Sequence, residues 1–109
     1  MDTMDTLETV INNYLEYCNS QKCLDEKTLK AYRIDLRQFS EQISIINIAE
    51  ITSKTLEQYI ARLHEQYKPK TVKRKIASVK ALFHYLEYKD IIDHNPFSKI
   101  LIHFREPVI

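Results

Sequence analysis

Apolar residues recur at helical spacing along this chain and divide it into four stretches. Leu7, Val10, Ile11, Tyr14, Leu15 and Cys18 fall three and four apart, the signature of one buried helix face, and predict a first helix from about Thr6 to Ser20. The second begins at Asp25, an N-cap with Leu24 before it and Leu29 at the fourth helical position, a hydrophobic staple. Its stripe continues through Tyr32, Leu36, Phe39 and Ile43. The third opens at Thr52 with a second staple, Ile51 against Leu56, and runs through Tyr59, Ile60 and Leu63 to about Tyr67. In the fourth, Pro69 sits in the first turn, where its missing N–H costs nothing. Val72, Ile76, Val79, Phe83 and Leu86 form its stripe.

The remaining segments are short. Ile43-Ser-Ile-Ile-Asn-Ile48 is β-branched but has no partner strand, so it reads as a buried connector. Asn95-Pro96 pairs an N-cap with a first-turn proline and predicts a short fifth helix over Phe97 to Leu101. The expected architecture is all-α: a compact bundle of four helices plus a short C-terminal fifth helix. Residues 1–5 read as a tail, 6–102 as one helical domain, and 103–109 as the start of a linker.

Composition narrows the function classes. Among 109 residues there is no glycine, where average usage of about 7% would give roughly eight. That excludes the glycine-bearing loops of dinucleotide sites, P-loops, nucleophile elbows and EF-hands. It also disfavours tight two-residue hairpins. No apolar run approaches the ~20 residues of a membrane span, and the acidic N-terminus lacks a signal-peptide pattern. Cys18 and Cys23 stand alone and suit free thiols in a reducing compartment, so a cytoplasmic protein is expected. No metal or other cofactor is expected, since neither the cysteines nor His64, His84, His94 and His103 show paired ligand spacing.

The net charge of +1 conceals an asymmetry. From Met1 to Glu26 there are six acids against one base, Lys22. From Gln66 to Leu86 there is no acid, and six bases occur: Lys68, Lys70, Lys73, Arg74, Lys75 and Lys80. Such a division suggests a polyanion partner. With Val72 at zero and about 100° per residue, the fourth helix's apolar stripe spans roughly −80° to +40°. Lys70, Lys73, Arg74 and Lys80 fall outside it, together with Ala77, Ser78 and Ala81. Cations neutralise phosphates, and small side chains let a helix settle into a groove. Thr71 and the first-turn amides add phosphate donors at a positive helix end. Helix two carries a weaker version in Lys27, Thr28, Lys30, Arg33 and Arg37, with Ala31 among them. Lys22 is expected to lie off this face.

The same two helices carry a family pattern. Thr28-Leu-Lys-Ala-Tyr32-Arg-Ile-Asp35-Leu36-Arg-Gln-Phe39 resembles the T-x-x-x-Y-x-x-D-L-x-x-F signature of tyrosine recombinases, in their N-terminal core-binding domain. The run from Lys70 to Phe83 resembles that family's T-h-x-R-x-h-S-A-h-x-x-h-F segment, and Asn95-Pro96-Phe97 its closing Asn-Pro. The resemblance covers about Leu7 to Ile102. It implies a SAM-like helical bundle forming half of a clamp on double-stranded DNA at a recombination core site, with other recombinase protomers as partners in the synaptic complex. The isolated domain is expected to be a monomer. Carried over by position, Thr28, Lys30 and Ala31 would face DNA from helix two, and Lys70, Thr71, Arg74 and Ser78 from helix four, with Lys73 and Ala77 nearby. Asp35, at the core boundary, is expected to be a structural hydrogen-bonding carboxylate.

Two departures stand out. Where the family favours glycine, Gln66-Tyr67-Lys68 and Lys89-Asp90 fill the turns. The family's chemistry also requires a C-terminal domain with His-x-x-Arg and a nucleophilic Tyr, and His103-Phe104-Arg105 is one residue too tight. This chain is therefore expected to lack catalysis. With about five residues ahead of helix one, the resemblance favours the simpler Xer-like layout without an arm-binding domain. The competing reading is a helical protein–protein interaction domain. It draws on Ile34, apolar yet off helix two's stripe, which would pack on helix four, meet a thymine methyl, or contact another protomer.

Overall fold

A computed structural model describes residues 6–100. The expected tail at 1–5, the linker at 103–109, and positions 101–102, where the expected fifth helix and domain end, lie outside the described residues. Four helices appear, three where a side-chain cap meets an apolar stripe and the fourth at Pro69: α1 (Leu7–Ser20), α2 (Glu26–Ile43), α3 (Ser53–Gln66) and α4 (Pro69–Tyr88). Thr6 caps α1 and Asp25 caps α2, each side chain accepting from a backbone N–H three residues on. Thr52 and Thr55 form a reciprocal capping box at the start of α3. Each such cap satisfies amides that would otherwise lack partners at a helix start.

The helix ends show how a chain without glycine turns. Cys23, Ser44 and Asp90 occupy the left-handed region, with φ between 53° and 59°. Asp90 follows α4 in a double-bonded C-terminal turn, its N–H donating to the Glu87 carbonyl and the Ile91 N–H to that of Leu86. The turn at Tyr67 needs no such residue, because its backbone is extended.

The helices bury one continuous core. Phe39 of α2 meets Tyr59 of α3 edge-on at 4.9 Å between ring centres and Phe83 of α4 at 6.2 Å. Phe83 meets Phe97 at 5.6 Å, which seats the last turn on the bundle. Tyr14 of α1 lies 6.2 Å from Tyr32 of α2 and 5.1 Å from Tyr85 of α4. Burial of these apolar faces, rather than intrinsic propensity, holds helices of this length in place. Both cysteines are free thiols, Cys18 buried and Cys23 exposed.

Two expectations change. The fifth helix is a 3-10 turn, Pro96–Lys99. The Asn95 side chain accepts from the Phe97 N–H at 3.0 Å, and the Ile100 N–H returns to the Phe97 carbonyl, which closes the segment in three-residue steps. The connector after α2 is only partly buried. The Leu7 N–H donates to the Ile46 carbonyl at 2.7 Å, and Thr6 and Asn47 form a single antiparallel bridge. In this extended stretch side chains alternate, so Ile46 is 75% exposed between the half-buried Ile45 and Asn47, and Ile48 is buried where the next 3-10 turn, Ile48–Glu50, begins.

Candidate nucleic-acid interface

The face that carries the cations is formed by α2 and the first half of α4, which pack on one another. Lys30 on α2, and Lys70, Lys73, Arg74 and Ala77 on α4, are exposed; Thr28, Ala31 and Thr71 are half-buried. Among the four α-helix starts α4 is different in that Lys68 supplies no side-chain cap; its first turn, like that of α3, holds no acid. An uncapped, acid-free helix start is a positive end suited to an anion. Lys68 and Lys80 are exposed too, so five of the six cations counted along this stretch face solvent.

The sixth does not. Lys75 is buried, and its Nζ donates to Asp35 Oδ1 at 3.1 Å and to Gln38 Oε1, above the Tyr67 ring at 5.0 Å. Asp35 is fully buried in the α2–α4 contact. Its Oδ1 also accepts from Arg74 Nη2 at 2.9 Å, and its Oδ2 from Ser78 Oγ at 2.9 Å. Asp35 therefore has the hydrogen-bonding role expected of it. A buried carboxylate is tolerated only when paired and hydrogen-bonded, and here one cation and one hydroxyl are themselves buried beside it.

Ser78 is thereby a correction. Its wheel angle put it outside the apolar stripe, on the face assigned to DNA. In the fold it is 2% exposed, because Asp35 reaches across from α2 and draws its hydroxyl inward. Lys75 could have been found from the sequence. It lies about 60° from Val72 on the wheel, inside the apolar stripe. A lysine there calls for a buried carboxylate, and Asp35 was the acid placed at the core boundary.

Three other placements bear on the interface. Ile34 is 45% exposed and lies outside the buried core. Lys22, expected off the face, lines a groove of about 610 Å³ together with Ala77, Lys80, His84 and Tyr88. Lys89 extends the same region, its Nζ 5.6 Å from the Tyr17 ring centre. Among the described residues no group of His, Cys, Asp or Glu could hold a metal ion. Among the same residues no helix is long and apolar enough to cross a membrane.

Residues 11–89 match the family pattern of the phage integrase N-terminal SAM-like domain. The chain belongs to that family. It is 65% identical over 106 residues to a tyrosine recombinase of Agathobacter rectalis, covering 97% of this chain and 35% of that protein. It is 30% identical to the tyrosine recombinase XerC of Oceanobacillus iheyensis, covering 89% of this chain and 33% of that protein. The chain thus spans about a third of the length of these relatives. The crystal structure of the N-terminal domain of a phage integrase/site-specific recombinase from Haloarcula marismortui superposes with a TM-score of 0.72 at 20% identity. It covers 87% of this chain and the whole of that one, a likeness of fold.

Proposed function

We propose that this SAM-like domain grips double-stranded DNA for a tyrosine recombinase, with α2 and α4 against the duplex at the recombination core site. The strand-exchange chemistry would lie elsewhere in the parent protein, and other protomers of that recombinase would share the synaptic complex. One observation carries the reading: five exposed cations and no acid follow one another from Gln66 to Leu86, beginning at a helix start with no side-chain cap. Ordinary surface helices alternate sign, because opposite charges four residues apart stabilise them. α4 has no acid four residues from any of these cations, so its outer face carries one sign of charge along its length. Lys70, Lys73 and the first-turn amides suit phosphates. Thr28, Lys30, Ala31, Thr71, Arg74 and Ala77 line the face around them, and small residues among these allow close approach of the helix backbones.

Lys70→Ala and Arg74→Ala test this reading in a duplex-binding assay. Each is expected to weaken binding, by about 1–3 kcal/mol where the side chain meets a base. Lys54→Ala, on the exposed side of α3, should change little. An equal loss from all three would contradict the assigned face. A protein-interaction role is the second reading, favoured by the exposed Ile34 and Tyr88, and it predicts no duplex binding at low salt.

A further inference from the structure

On the proposed face, Arg74 is anchored to a fully buried acid. Its side chain is 56% exposed, yet Nη2 lies 2.9 Å from Asp35 Oδ1, and Asp35 has no exposure at all. Two explanations compete. In the first, Arg74 is present to satisfy Asp35. The carboxylate is already served without it: Lys75 donates to Oδ1 from a buried position and Ser78 donates to Oδ2. An ion pair with so exposed a partner also adds little to stability, since water screens it. In the second, Asp35 is present to hold Arg74. Its two other partners immobilise the carboxylate, so the guanidinium is tied to a fixed point in the α2–α4 contact rather than to a mobile surface acid.

The electrostatics favour the second explanation. Lys75 and Asp35 are buried together and cancel, so Arg74 keeps a full positive charge directed outward. A guanidinium is planar and carries five N–H donors in a rigid fork, of which this contact engages one nitrogen. Holding that fork in place before binding removes part of the entropic cost of ordering a long side chain. A phosphate, which any nearby cation can meet, gains little from such an arrangement. A base edge, where two donors must meet two acceptors, gains more.

We propose that Asp35 is a positioning residue, which fixes the Arg74 guanidinium for directional reading of a base edge in the DNA groove. The proposal rests on the DNA-gripping reading above and adds to it a division of labour. The surrounding lysines supply affinity, and Arg74, held by Asp35, supplies discrimination between sequences.

The test is selection of bound duplexes from a pool of short random-sequence DNA, performed with the wild-type chain and with Asp35→Asn, Arg74→Ala and the double variant. The wild type should enrich a short motif. Asp35→Asn should bind the unselected pool within about twofold of wild type, because the lysines remain. It should lose about tenfold of the enrichment at the positions that Arg74→Ala also flattens. Adding Asp35→Asn to Arg74→Ala should change nothing further. An unchanged motif in Asp35→Asn overturns the proposal, as does a loss spread evenly over positions that Arg74→Ala leaves intact. Pool binding by the wild type without any enriched sequence also overturns it, while the DNA-gripping role stands. Absence of binding at low salt removes both.

Should Asp35→Asn fail to fold, the wild type alone decides through the Arg74 Nε–H resonance. A side chain already ordered without DNA supports the positioning role. One as mobile as an exposed surface arginine, such as Arg33, contradicts it.

Discussion

Ser78 and Asp35 meet across the α2–α4 contact, the serine Oγ donating to Asp35 Oδ2 at 2.9 Å. The pair joins two helices whose outer faces carry the proposed interface, so the spacing of those faces depends on a bond inside the core. Ser78→Ala leaves a buried carboxylate oxygen without this donor. We expect a loss of about 1–3 kcal/mol in urea unfolding. An unchanged midpoint would mean that the bond contributes nothing to holding α4 on α2.

Tyr59 presents the opposite case. Its ring packs edge-on to Phe39, but its buried hydroxyl finds no hydrogen-bond partner among the described residues. Burial, followed by the nearby charge of Asp35, pushes its phenol above the ordinary tyrosine range. Tyr59→Phe removes the stranded polar atom and keeps the ring, so thermal unfolding should shift upward by the equivalent of about 1 kcal/mol. A downward shift of that size would show that the hydroxyl is satisfied in solution.

The start of α2 should respond to acid. The Thr28 N–H donates to Asp25 Oδ1 at 2.9 Å and holds this carboxyl below its ordinary value of 3.8. A depressed folded-state pKa gives stability that is present above the unfolded value and lost as pH falls through the folded one. Asn caps a helix as well as Asp does but carries no charge. Wild type should therefore exceed Asp25→Asn in melting temperature at neutral pH, and the gap should close as pH drops below about 4. A gap that stays constant down to strong acid would contradict the assignment.

How much of this was legible in the sequence depended on whether a feature was local. Thr6, Asp25 and Thr52 sit where a polar cap meets an apolar stripe, so those helix starts could be read from neighbouring residues. The left-handed turn at Asp90 was legible for the same reason, since Asp tolerates that backbone after a helix. Ser78 was not legible. Its burial is decided by a carboxylate forty-three positions away, and a wheel drawn for one helix carries no information about the next. Ile46 failed similarly, because its outward orientation follows from pairing with the start of α1. The outer face stood between these limits. Its cations were readable as a run of one sign and the wheel sets Lys75 inside the apolar stripe, but the anchoring of Arg74 depends on the α2–α4 packing.

The central claim is that the exposed lysines of α4, with Lys30 of α2, meet DNA phosphates, and a salt titration of duplex binding tests it most directly. Each neutralised phosphate releases counterions, so about five contacts, at Lys30, Lys68, Lys70, Lys73 and Lys80, give log K falling against log salt with a slope near −4 to −5. The account predicts that slope for the wild-type chain, and a slope shallower by about one for Lys70→Ala. Affinity that does not change with salt, or no binding at low salt, would contradict it.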